Sequence, residues 1–216
     1  MNDLFNNDML DRLREEVASI LSSFRLAHTF GVERMATRIG EIYCPSKVGL
    51  LRAAALLHDI TKELSVEEHC SILELHGVTP TQEQLSSPAT LHSVTAALII
   101  PERYPVFAEK ELVDAVRYHT TGRAGMTLCE KIIYLADYID ETRKYDDCIA
   151  LRNEFFSVEF DNITDSERND HLNRVILHSL EMTLEDLERH RRAVSDDSLA
   201  AKESIIKELE KIKGVK

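Results

Sequence analysis

Apolar side chains recur every three to four positions through most of this chain, the spacing that places them on one face of an α-helix. Alternating apolar and polar runs, typical of half-buried strands, are absent, so the sequence predicts an all-α fold. Capping residues, proline and glycine indicate the helix ends. The predicted helices cover about residues 8–22, 24–43, 47–57, 65–76, 91–100, 109–119, 126–140, 170–192 and 199–212.

Local signals refine three of these ends. Ser46 is the predicted N-cap of the third helix. Ser65 and Glu68 have the spacing of a capping box, and Gly77 is the expected stop of the helix that they begin. Residues 77–89 are turn-rich.

The chain becomes more polar after residue 140. We therefore predict a core over residues 1–150 and a C-terminal helical extension over residues 151–216 that packs on it. Within the extension, residues 155–170 resemble an insertion.

Five predicted helices carry a polar side chain at or next to a position that the apolar period assigns to the interior. These residues are His28, His58 with Asp59, His92, His119 and Asp137. A single histidine of this kind is usually a hydrogen-bonded core residue, and Asp59 alone could be a helix cap. Five coincidences favour a shared partner, because an unpaired buried carboxylate is costly. Imidazole and carboxylate ligands indicate a divalent metal, and six ligands indicate two ions.

The other histidines, His69, His76, His171, His178 and His190, lie on polar or weakly patterned segments and are predicted to be surface residues. Among them, His178 is the residue whose surface assignment we would reconsider first.

Charge and composition narrow the function. A net charge of −12 disfavours a groove for nucleic acid, which needs clustered Lys and Arg, but it allows a small phosphorylated substrate. We see no signal peptide and no apolar run of membrane-spanning length, and the four cysteines are scattered, so we expect a cytoplasmic protein with no membrane partner.

The ordered set of histidines and aspartates is similar to the two-metal form of the HD superfamily. Local segments, among them FRLAHTFGVERMATRIGEIY, AALLHDITKEL and AVRYHTTGRAGMTLCEKIIYLADYIDETR, closely resemble the YqeK-type symmetrical bis(5'-nucleosyl)-tetraphosphatases. One stretch departs from that family, because its common Ile-Glu-Pro-x-Arg is here Ile139-Asp140-Glu141-Thr142-Arg143.

This resemblance implies an HD-domain helical bundle that hydrolyses diadenosine tetraphosphate to two ADP. It implies one metal on His28, His58, Asp59 and Asp137. The second metal would be on Asp59, His92 and His119, with Asp59 as the bridge. Such sites suit iron, with manganese as the alternative.

Candidate catalytic and substrate residues follow these ligands along the chain. We assign catalytic roles to Asp59, Lys62 and Arg143: Lys62 lies one helical turn beyond His58-Asp59, and Arg143 could grip a phosphate. Their alternatives are an exposed lysine and a salt bridge to an acid such as Asp146. The expected substrate turn comprises Thr120, Thr121, Gly122 and Arg123, or it is a plain turn with Gly122 at positive φ.

Other functions remain open from the sequence. The chain could hydrolyse another nucleotide, either a nucleoside mono- or triphosphate, or it could be a metal-containing nucleotide sensor without turnover. The Ile60-Thr61-Lys62-Glu63 segment lacks the Glu-Asp pair of guanosine alarmone hydrolases, which disfavours that substrate. The oligomeric state is undetermined, with a homodimer as one option.

Overall fold

A computed structural model describes residues 5–213, and side chains through residue 211. This part of the chain forms helices and turns with no strand, which confirms the all-α prediction. Its helices are α1 (Asn7–Ala18), α2 (Ser23–Tyr43), α3 (Val48–Leu57), α4 (Val66–Leu75), α5 (Gln82–Ser86), α6 (Leu91–Arg103), α7 (Lys110–Tyr118), α8 (Leu128–Ile139), α9 (Asp146–Phe155), α10 (Asp165–Arg189) and α11 (Asp196–Lys213).

Helix α3 is the centre of the bundle. Eight of its ten residues are buried, because the segment GLLRAAALL has one charged side chain and is apolar on nearly every face. It packs against α1, α2, α7 and α8. The C-terminal end of this buried helix is therefore surrounded by other helices, and His58 caps that end.

Helix ends follow the capping chemistry in most places. Ser65 and Glu68 form the predicted capping box, and Gly77 has a φ of 66° just after α4. The Ser46 prediction is wrong, because a 3-10 turn occupies Pro45–Lys47 and Lys47 precedes α3 without a side-chain cap.

Two helices were not predicted. The turn-rich segment contains α5, which begins with a capping box of Thr81 and Gln84. Helix α9 lies where the sequence looked polar, yet Cys148, Leu151 and Phe155 are buried along one of its faces.

The C-terminal helices α10 and α11 join the main hydrophobic core. Leu172, Val175, Ile176 and Leu180 of α10 lie in one hydrophobic core with α2, α3 and α8. The predicted division at residue 150 falls inside α9. The division into core and extension remains a prediction. Among the described helices, none has the length and apolar character to cross a bilayer.

Candidate metal centre

The six predicted ligands meet at the end of α3 although they come from five places in the chain. His28 lies in α2, His58 and Asp59 follow α3, His92 lies in the first turn of α6, His119 caps α7, and Asp137 lies in α8. We call these six side chains the ligand cluster. Four of its members are within 2 % of full burial, and His28 is 7 % exposed.

Three imidazoles have the same local geometry. The Nδ1 atoms of His58, His92 and His119 each lie 2.6–2.7 Å from the main-chain carbonyl of the residue three positions earlier. This contact needs a proton on Nδ1, so in the neutral imidazole the Nε2 atom keeps its lone pair. A second partner that fixes the tautomer in this way is characteristic of metal-binding histidines.

His28 is oriented by a carboxylate instead. Its Nδ1 lies 3.2 Å from Oδ2 of Asp140, a residue that is fully buried. Asp140 accepts a hydrogen bond from the backbone N–H of Thr142 at 2.8 Å. Gly31 permits this approach, since a Cβ there would lie 2.6 Å from Oδ1 of Asp140. In the sequence, Asp140 stands out only as a departure from the family, and no pattern there predicts this contact.

The Nε2 atoms of the four imidazoles point into the cluster, and two of them lack hydrogen bonds. Those of His28 and His58 are buried without a hydrogen-bond partner. Those of His92 and His119 lie 3.0 Å apart. Buried lone pairs that face one another are unfavourable unless a cation or proton lies between them. The donor set therefore fits divalent metal ions.

Two groups within the described chain have the spacing of a metal site. They are His28 with His58 and Asp137, and His58 with Asp59 and His119, each with ligand atoms within 4.8 Å of one another. His92 lies beside the second group, with its Nε2 3.2 Å from Oδ1 of Asp59.

The two oxygens of Asp59 face opposite halves of the cluster. Oδ2 lies 3.4 Å from Nε2 of His58 and 3.7 Å from Nε2 of His28. Oδ1 lies 3.2 Å from Nε2 of His92 and 3.8 Å from Nε2 of His119. A carboxylate can bind two ions through its two oxygens, whereas one imidazole Nε2 can bind only one.

Burial and neighbouring charges keep four of the six ligands in the protonation state that binds a metal, which is neutral imidazole for histidine and carboxylate for aspartate. Burial lowers the pKa of His119 to about 4 and the pKa of His92 well below its usual value. Burial alone would raise the pKa of Asp59 and Asp137, but His58 beside Asp59 and Arg143 beside Asp137 hold both well below normal. At neutral pH both imidazoles are uncharged and both carboxylates are ionised.

Three cations border the cluster. Arg25, which the sequence analysis missed, lies 2.7 Å from Oδ2 of Asp59 through its Nη1. Arg143 lies 2.6 Å from Oδ1 of Asp137, so the structure pairs it with a ligand and not with Asp146. Lys62 Nζ lies 3.2 and 3.3 Å from the two ring nitrogens of His92, and burial lowers the pKa of this lysine.

The predicted substrate turn divides into two parts. Thr120 reaches the cluster, with its Oγ1 3.1 Å from Nε2 of His119. Thr121 is buried and donates to the carbonyl of Gly122, which has a φ of 65° and packs against Ala201. This geometry is that of the plain turn, the alternative to a substrate contact.

Arg123 is held by a different partner. Its Nη2 lies 3.1 Å from Oε2 of Glu130, and its Nε donates to Oε1 of the same buried carboxylate at 2.5 Å. The guanidinium also lies 4.9 Å from the ring centre of Tyr118. These contacts favour a structural role for Arg123.

The surface prediction for the remaining histidines is wrong for His69. This residue is 4 % exposed, and its Nδ1 lies 2.9 Å from Oγ1 of Thr95. His178 is half-exposed and pairs with Glu154 at 2.7 Å, which makes it a surface residue as predicted.

Similarity to known proteins places this geometry in a family. The model of the HD domain family matches residues 25–142, more than half of the chain and the whole ligand cluster. The chain belongs to the HD domain family. This result confirms the HD resemblance and the helical-bundle fold that it implied.

Three similar proteins extend this finding. The chain is 35% identical over 126 residues to the symmetrical bis(5'-nucleosyl)-tetraphosphatase of Bacillus subtilis, an alignment that spans 58% of this chain but only 66% of the relative, just under two thirds. It is 26% identical over 188 residues to the enzyme of the same name from Halalkalibacterium halodurans, covering 87% of this chain and 92% of that one.

The third relative is a solved structure. A Clostridium acetobutylicum protein described as a predicted HD superfamily hydrolase involved in NAD metabolism superposes with a TM-score of 0.79 and 26% identity, covering 92% of this chain and 97% of that one.

Proposed function

We propose that this chain is a metal-dependent hydrolase that cleaves diadenosine tetraphosphate symmetrically, adding one water to give two ADP. The observation that carries the proposal is the convergence of four buried imidazole nitrogens and two carboxylates. Relatives named symmetrical bis(5'-nucleosyl)-tetraphosphatase supply the substrate and the cleavage position.

The proposed ligand assignment rests on Asp59. Because its Oδ2 faces His28 and His58, these residues with Asp137 would hold one ion. Because its Oδ1 faces His92 and His119, that pair would hold the other, with Asp59 bridging both. Mixed nitrogen and oxygen ligands of this kind suit iron, with manganese as the alternative.

When bound, the two ions supply Lewis-acid charge for phosphate oxygens and lower the pKa of a bound water near neutrality. The protein side chains have other tasks. Arg25 and Arg143 hold positive charge beside Asp59 and Asp137, where a polyphosphate would lie. Lys62 places an ammonium beside His92, where it can hold a proton next to the departing phosphate oxygen.

Thr120 has a smaller task in this proposal. Its hydroxyl lies 3.1–3.2 Å from Nε2 of both His92 and His119, so it can orient a water or a phosphate oxygen at that edge of the cluster. Thr121, Gly122 and Arg123 shape the turn that carries Thr120.

The test is product analysis on protein of known metal content. Iron-loaded and manganese-loaded protein is incubated with diadenosine tetraphosphate, and the nucleotides are separated by chromatography. We expect ADP alone; equimolar ATP and AMP would refute symmetrical cleavage. Asp59→Asn should be inactive, whereas Asp165→Asn, at a carboxylate that is 95% exposed, is the matched control.

A nucleotide panel separates the remaining alternatives. Faster turnover of a nucleoside mono- or triphosphate would assign the same centre to another substrate. Binding of nucleotides without turnover by the metal-loaded chain would indicate a sensor.

A further inference from the structure

A cleft of about 550 Å³ opens beside the ligand cluster, between the start of α2 and the segment that joins α8 to α9. His28 forms part of its wall, so the cleft and the cluster share a boundary. A volume of this size lies in the range of small-molecule sites.

Two aromatic side chains stand at this cleft with unusual exposure. Phe24 is 79% exposed and Tyr145 is 71% exposed, and both line the cleft. They are the two aromatic residues among the strongly exposed apolar side chains of the described chain. Exposed apolar surface that gathers around one concavity is characteristic of a binding site, while single exposed residues are ordinary.

The remaining wall is cationic in an acidic protein. Arg25, Arg143 and Lys144 line the cleft, and none of its eight lining residues is acidic, although the chain carries a net charge of −12. Arg25 and Arg143 also contact ligand-cluster carboxylates, so positive charge continues from the cleft to the candidate metal centre. Lys144 is exposed, with its Nζ 2.7 Å from the carbonyl of Glu141.

The cleft has aromatic side chains at its exposed edge and cationic side chains toward the ligand cluster. This arrangement matches the base and the phosphates of a nucleotide. A base stacks on aromatic side chains, while phosphates need Arg or Lys. A peptide or lipid partner would not account for the cations that continue to the ligand cluster. We propose that this cleft binds one nucleoside diphosphate half of the substrate, with Phe24 and Tyr145 against the base and Arg25, Arg143 and Lys144 along the phosphates.

This assignment rests on the proposed function for its substrate, and it adds residues that set specificity. It predicts that the base contributes affinity through a surface separate from the metal ligands. Phe24 and Tyr145 therefore should govern recognition of the nucleoside, and Lys144 should govern recognition of the phosphates.

Direct binding of ADP to the metal-loaded full chain, measured by isothermal titration calorimetry, tests the assignment without needing turnover. Loss of one stacking partner should weaken ADP binding about 5- to 100-fold in Phe24→Ala and in Tyr145→Ala. Tripolyphosphate, which has no base, should bind these two variants as it binds the wild type. Lys144→Ala should weaken both ligands.

Two further variants separate stacking from general apolar contact. Tyr145→Phe keeps the aromatic face and should retain ADP affinity, whereas Phe24→Leu keeps apolar bulk and should not. Leu75→Ala is the matched control, since Leu75 is also 79% exposed but lies on α4, away from the cleft. Its ADP affinity should equal that of the wild type.

The outcomes separate this inference from the proposed function. Unchanged ADP affinity in both aromatic variants would overturn the base subsite, even in a protein that cleaves diadenosine tetraphosphate. Reduced ADP affinity with unchanged tripolyphosphate affinity would support it, even if the wild-type chain hydrolysed a different nucleotide. Equal loss of both ligands in the aromatic variants would also overturn it, because the rings would then act only through the shape of the site.

Discussion

Helix α8 carries polar groups that face the interior near both of its ends, and the two ends differ in how those groups are satisfied. At the first turn, Glu130 binds Arg123 and the N–H of Thr127, while Lys131 contacts Glu208 at 2.6 Å. At the last turn, Asp137 enters a cluster in which imidazole lone pairs face one another.

The difference teaches what distinguishes a candidate site from a buried ion pair. The first turn of α8 has a cation for each anion, so its interactions are complete within the protein. The ligand cluster has more electron-pair donors than the protein has partners for, so it needs a bound cation. Burial of charge alone does not separate the two regions, because Glu130 is as buried as any ligand.

The largest expected effect concerns Asp59, which faces both halves of the cluster. Asp59→Ala should remove both ions and lower turnover by more than about 10³-fold, because the charge that stabilises the transition state is lost with them. His92→Ala should remove mainly one ion. Metal content by elemental analysis and turnover on the same samples check this, and equal metal loss in both variants would contradict the assignment of Asp59 as the bridge.

Asp140 should have an intermediate effect, since it touches His28 but is not itself a proposed ligand. Asp140→Asn keeps the size of the side chain but removes the charge that orients the imidazole. We expect metal affinity or activity to fall about 10- to 100-fold. Chelator competition measures the affinity. An Asp140→Asn protein that retains wild-type affinity would show that the charge of Asp140 is not needed to orient His28.

A substitution at the first turn of α8 should lower stability and leave turnover unchanged. Arg123→Ala leaves Glu130 buried without its main partner, and the free energy of unfolding should fall by about 1.5–3 kcal/mol. Turnover and metal content at a temperature below the transition should stay near wild type. Urea denaturation measures the stability, and a loss of substrate affinity with unchanged stability would return Arg123 to the substrate site.

Most of the helices and the inward direction of the ligands were predicted from one signal in the sequence, its apolar period. His28, His92, His119 and Asp137 occupy positions that an apolar period of 3.6 assigns to the interior, so their inward direction follows from local spacing. Arg25 and Asp140 carry no such signal. Asp140 caps the end of α8, and Arg25 becomes informative only when α2 lies beside the end of α3.

His69 shows a signal that was present but weak. It lies four residues before the fully buried Leu73 on α4, a spacing that places both on one face. The charged neighbours Glu67 and Glu68 obscured this face. Helix α9 was missed for a similar reason, because charged residues precede Cys148 and lie between Leu151 and Phe155.

His69 also gives the smallest prediction, a pH dependence of stability outside the ligand cluster. Burial lowers the pKa of His69 below its usual value of 6.5, so the unfolded chain binds a proton more readily than the folded protein does. The stability from this residue is therefore complete above pH 6.5 and declines as the pH falls below that value. His92 and His119 shift in the same direction, so the comparison must be between wild type and His69→Gln. Urea midpoints measured from pH 8 to pH 5 should fall more steeply for the wild type than for the variant, and parallel curves would show that His69 does not titrate differently on folding.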